Sequence, residues 1–149
     1  MTFKQKIFQE FLKQIEANIA SYQYTLNELK HSVANETKST AGDKHETALS
    51  MLQIEQSAVA KHLFDAIETK NNFLKTSQEV HHDEIRKGSL VKTTQGYFFI
   101  SVALPKIVVD NQCIIAISPT SPLGMQLMGK KLHDECLLLN KLHQIESIC

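Results

Sequence analysis

The 149 residues carry sixteen basic and sixteen acidic side chains, and the formal net charge is zero. The balance holds in each part, nine of each sign in residues 1–75 and seven in residues 76–149. Binding nucleic acid mainly through phosphates calls for a basic excess, so any approach to RNA or DNA is expected to run through a protein partner. No apolar run reaches spanning length and no secretory apolar core follows Met1, which predicts a cytoplasmic chain of one domain or two small ones with no membrane partner. Cys113, Cys136 and Cys149 are odd in number and lack Cys-x-x-Cys spacing, so neither a disulfide framework nor a zinc knuckle is expected. Cys113 and Cys136 lie in apolar runs and are predicted to be small core residues.

In chain order, the first element is a long helix. Phe8, Leu12, Ile15, Ile19, Tyr22, Leu26, Leu29 and Val33 follow at steps of four and three, the a/d spacing of a coiled-coil seam. A returning helix carries Leu49, Leu52, Val59, Leu63, Ala66 and Phe73 on a matching seam, with Gln56 and Lys70 as polar intrusions. Such intrusions fix register at some loss of stability. The two helices predict an antiparallel hairpin over residues 1–75.

Between them lies a polar bend, residues 36–47, with Asp43 and Glu46 where no core asks for a carboxylate. Two acids three positions apart share a helix face. Mg²⁺ is typically held by one or two carboxylates, waters and substrate oxygens, so this pair has the chemistry to share an ion with another active centre and to sharpen a bound water. The same spacing is a helix capping box, and Thr40 with Asp43 offers a competing one. Glu36, on the other side of the bend, is a third acid and reads as a solvated charge.

The seam ends near residue 76, and residues 76–88 read as a linker. Within it His81-His82-Asp83-Glu84 has metal-ligand residue types, but adjacent side chains seldom converge on one ion, and a solvated hinge is the reading preferred. Strand chemistry then begins. Residues 89–92, 97–102, 107–109 and 113–117 are β-branched or aromatic runs separated by turn signals at residues 94–96 and 110–112. Of the alternating Tyr97, Phe98 and Phe99, at least one belongs in the core. Ser121 is the expected N-cap of a short helix with Pro122 at N1 and Gly129 just past its end. Residues 136–139 and 142–148 then read as a closing hairpin around Asn140-Lys141.

Gly42-Asp43-x-x-Glu46-x-Ala48 between two long helices, followed in order by Ser121-Pro122-Leu123-Gly124, Leu127, Gly129-Lys130-Lys131 and Asp134, resembles the Gre family of bacterial transcript cleavage factors, the GreA/GreB type. The resemblance spans nearly the whole chain. It implies an α+β fold, with a long antiparallel coiled-coil hairpin over residues 1–75 and a small FKBP-like antiparallel β domain with one short helix over residues 89–149. It further implies a monomer that binds RNA polymerase at its secondary channel and meets the RNA 3′ end only inside that complex. Asp43 and Glu46 would act in the polymerase active site through a transient, shared Mg²⁺, rescuing backtracked complexes by stimulating the polymerase's own RNA cleavage. The chain would then be an activator rather than an enzyme. Docking would fall to Ser121, Pro122, Leu123, Gly124, Lys130 and Lys131.

The chain departs from the family pattern in three places. Lys44 and His45 stand between the acids where a leucine and a charged residue are usual. Leu49 and Ser50 replace an aromatic residue beyond them. His133 stands where a glycine is common, so either the turn is rebuilt or a positive φ is kept under strain. Two alternatives therefore remain, a channel-binding regulator that does not promote cleavage, and a prolyl isomerase or chaperone using the C-terminal fold. No Phe, Tyr or Trp follows Phe99 to line a peptide pocket.

Overall fold

The computed structural model describes residues 1–38, 42–76 and 82–149, the side chains of residues 42–45 excepted. The chain is α+β. Two long helices, α1 (Phe3–Thr37) and α2 (Gly42–Leu74), precede β1 (Leu90–Thr93), β2 (Gly96–Ile100), β3 (Leu104–Val109), β4 (Gln112–Ile117), the short helix α3 (Pro122–Leu127), β5 (Glu135–Leu138) and β6 (Lys141–Ile148). They form two compact units, one made of Met1–Lys13 with Asn71–Cys149 and the other of Gln14–Lys70.

The unit Gln14–Lys70 is a helical hairpin built on the expected seam. Ile15 and Leu29 are buried, and Ile19, Tyr22, Leu26, Val33, Leu49, Leu52, Gln56, Val59, Leu63 and Ala66 are half-buried. Lys70, one of the polar intrusions, has its ammonium 3.3 Å from the Glu16 carboxylate, and the Tyr22 ring stacks on His62 at 5.7 Å. Both contacts join α1 to α2 in antiparallel register. An exposed ion pair contributes little stability, so the pair's effect is on alignment. The bend is shorter than its polarity suggested, because α1 runs to Thr37 and α2 begins at Gly42. Polar residues continue a helix wherever every face meets water, so polarity alone does not end one.

In the other unit, six strands form one sheet in the order β3-β4-β2-β1-β6-β5. Neighbours are antiparallel except β2 and β4. Alternation sends Phe98 and Phe99 to opposite faces, and both are buried. On the Phe99 face lie the ends of the long helices. Phe8 stacks on Phe73 at 4.6 Å, Phe11 stacks on Phe99 at 5.9 Å, and Phe73 meets Phe99 edge-on at 6.1 Å. Phe8 and Phe73 are seam residues. Ile7 and Phe11 are not, yet both are fully buried, because the first turns of α1 serve the sheet as well as the partner helix. The other face holds Ile85, Val91, Phe98, Ile100, Leu127, Cys136 and Ile145, with Leu123 packed against them.

Cys136 is buried as expected, whereas Cys113 is exposed. Cys113 pairs with the exposed Val108, on the outward phase of an alternating strand. The closing hairpin turns one residue earlier than the sequence suggested. Leu138 pairs with Lys141, and Leu139 and Asn140 occupy the turn at φ 52° and 63°. The ladder is set from its far end, where His133 donates to the Ile145 carbonyl and Ile145 to the Asp134 carbonyl. That register leaves Leu139 in a left-handed conformation, unusual for a branched side chain. His133 likewise keeps a positive φ of 72°, so the strained alternative is the one adopted.

Candidate functional site

Asp43 and Glu46 are the second and fifth residues of α2. Glu46 is exposed. Ser39, Thr40 and Ala41 lie outside the described residues, as do the side chains of Asp43, Lys44 and His45, and the choice between the two capping boxes lies there with them. Glu36, in the last turn of α1, is half-buried and engaged rather than a free solvated charge. Directly after the tip, α2 carries a shallow apolar groove lined by Ala48, Met51, Leu52, Ile54, Glu55 and Ala58. Met51 and Ile54 are among its exposed residues. Sequence reading passed over this groove. The signal was Met51, Ile54 and Ala58 at steps of three and four, off the seam that Leu49 and Leu52 define.

The Ser121–Gly124 motif is shaped first by the demands of α3. Ser121 Oγ accepts from the Gly124 N–H at 3.1 Å and donates to the Ser118 carbonyl at 2.7 Å, which caps the helix and ties it to the preceding turn. Pro122 occupies N1, where its missing N–H is no loss. A Cβ on Gly124 would lie 2.0 Å from the Ser118 carbonyl oxygen, so the close approach requires glycine. Leu123 packs on the core. Of the six expected docking residues, Pro122 and Lys131 are exposed, Ser121, Leu123 and Lys130 are half-buried, and Gly124 is buried. Beside Pro122 the structure adds exposed Met125, Met128 and Leu132. Methionine side chains are flexible and polarizable, which suits them to partner surfaces. Their spacing after Pro122 was the signal available in the sequence.

The histidine stretch is partly internal. His82 is buried with Nδ1 hydrogen-bonded to the Ser89 hydroxyl, and Ile85 exchanges backbone hydrogen bonds with Gly129 and Lys130. His81 lies outside the described residues and Asp83 and Glu84 are exposed, so it is the buried His82 that departs from a solvated hinge. Among the described residues no group of three or more His, Cys, Asp or Glu side chains is placed to hold a metal.

No protein-family model matches the chain, and no curated protein matches it.

One further pair of reactive types is brought together by the β5–β6 register, which sets Cys136 opposite His143. Both are buried. Burial pushes the Cys136 thiol above its ordinary pKa despite nearby Lys130, and a protonated thiol is a poor nucleophile. Burial, aided by Lys141, holds His143 below its ordinary value. His143 Nδ1 lies 3.2 Å from the Thr93 hydroxyl and its ring meets Phe98 edge-on at 5.6 Å. The pair is core architecture.

Proposed function

We propose that this chain is a Gre-like factor that binds RNA polymerase at the secondary channel and stimulates cleavage of backtracked RNA. In this reading Asp43 and Glu46 help hold a transient Mg²⁺ at the polymerase's active centre, where the ion lowers the pKa of the attacking water. The polymerase supplies the phosphodiester chemistry. The unit containing the sheet, read as FKBP-like, docks outside the channel through Pro122, Met125, Met128, Leu132 and Lys131. The observation that carries the reading is a pair of acids near the start of α2, with Glu46 exposed, at the bend of a two-helix hairpin. A hairpin of Gln14–Lys70 is slender, about 36 Å long at about 1.5 Å per residue, and of a size to enter a channel.

The test uses stalled, backtracked polymerase complexes with the full-length chain. Asp43→Ala and Glu46→Ala are expected to lower stimulated RNA hydrolysis by at least about tenfold, a loss of about 1.4 kcal/mol of transition-state stabilisation or more, while competition binding changes less than about twofold. Equal loss of binding and hydrolysis would make the pair structural. A second reading, a channel occupant that does not promote cleavage, is favoured by Lys44 and His45 between the acids, since an ammonium beside two carboxylates pairs with them and repels a divalent ion. Binding without any cleavage by the parent chain selects that reading.

A further inference from the structure

The two edges of the sheet are treated differently. Edge strands expose unpaired N–H and C=O groups, and proteins that remain apart blunt them with proline, lysine or a bulge. At one edge β3 carries Pro105 and Lys106, and its register shifts between Leu104 and Ile107. At the other, β5 is Glu-Cys-Leu-Leu, with no proline, lysine or register shift. No described residue pairs with its outer side. Because Leu138 and Lys141 flank a two-residue turn as a hydrogen-bonded pair, the alternation of an antiparallel ladder turns the backbone groups of Glu135 and Leu137 outward.

That edge is also apolar. Leu137 and Leu142 face one another across the hairpin and are 61% and 47% exposed, and Leu139 in the turn is 87% exposed. Leu139 holds φ at 52°. A leucine placed in water and in the left-handed region gains nothing within the isolated chain, and such strain collects at contact sites.

We propose that the free edge of β5 pairs antiparallel with β5 of a second copy of this chain, about a two-fold axis near Leu137. The strand is self-complementary in charge. Asp134 stands at its start and Lys141 just past its end, both in the phase of Cys136 and Leu138, so an antiparallel pair sets the acidic end of each copy beside the basic end of the other. An isologous contact repeats every interaction twice, and main-chain hydrogen bonds join the strands while the leucines pack across the axis. Four-residue strands fall below the area of a tight dimer, so association is weak and concentration-dependent. It requires no polymerase, and its outcome is separate from that of the cleavage assay.

Sedimentation of the full-length chain from about 5 to 500 μM, at low and high salt, tests this. The parent is expected to dimerise in the upper part of that range and less at high salt. Leu137→Lys, an exposed change, abolishes association while near-UV circular dichroism stays unchanged. Leu139→Gly relieves the left-handed strain, raises the melting temperature and weakens the dimer at least about tenfold, as loss of a buried leucine would. Lys141→Glu, which sets acid beside the Asp134 end of the other copy, weakens it more than Lys141→Ala does. A parent that is monomeric at 500 μM, or one whose association is untouched by Leu137→Lys, overturns the proposal. So does a monomer whose β5 edge accepts an extended peptide instead.

Discussion

At the scale of single residues, His143 shows how burial turns a side chain into a pH-dependent term. Its folded pKa lies below the usual histidine value because burial, with Lys141 near, disfavours the imidazolium. The unfolded chain therefore binds the proton first as pH falls. The stabilisation is fully present above the unfolded value of about 6.5 and is lost as pH drops from there toward the lower folded value. His143→Phe keeps an aromatic ring against Phe98 and removes the titration. Thr93 loses one partner but still accepts from the Gln95 N–H at 3.0 Å. Melting temperatures between pH 7.5 and 5.5 are expected to fall less for the variant than for the parent. Parallel curves would assign the acid sensitivity to another group.

Elements were legible where one surface dictates the pattern. The hairpin seam could be counted because its residues meet a single partner helix, and α3 could be placed because a serine cap, a proline at N1 and a glycine past the end act locally. Two kinds of feature escaped. Ile7 and Phe11 serve a second surface, the sheet, whose position is a tertiary fact that periodicity does not encode. The β5–β6 turn slipped by one residue because the His133–Ile145 and Ile145–Asp134 hydrogen bonds set its register from the far end. The candidate site divides in the same way. The tip acids were visible as charges without a core, whereas Met125, Met128 and Leu132 become a surface only once α3 is docked. Gly124 gives the element-scale prediction. Its Cβ in Gly124→Ala would meet the Ser118 carbonyl oxygen, a backbone atom that cannot rotate away, at 2.0 Å, so α3 must shift. Overpacking of this kind costs about 1–3 kcal/mol or more, which urea denaturation will read. On the polymerase reading, hydrolysis stimulated at saturating protein should be spared while the concentration needed rises, because α3 would carry docking residues and the tip does not change.

For the molecule as a whole, the question is which part of the chain folds with the sheet. The compact unit around it takes in Met1–Lys13 and Asn71–Cys149, and the reason is the layer of Phe8, Phe11 and Phe73 on the Phe99 face. Each phenylalanine contributes about 1.5–3 kcal/mol through burial, and a domain's net stability is only about 5–15 kcal/mol. A fragment of residues 88–149 loses all three, together with Ile85 from the other face and the buried His82. It is expected to melt without a cooperative transition and to expose apolar surface to a fluorescent dye. A shortened chain, with Gln14–Lys70 replaced by a brief glycine-rich loop from Lys13 to Asn71, keeps both faces covered and should melt sharply. On the polymerase reading the shortened chain also competes with the full-length protein for binding, with no stimulation of cleavage. Equal cooperativity in the two shorter chains would show the helix ends to be dispensable to the sheet. A shortened chain that folds yet fails to compete would move docking from α3 to the hairpin.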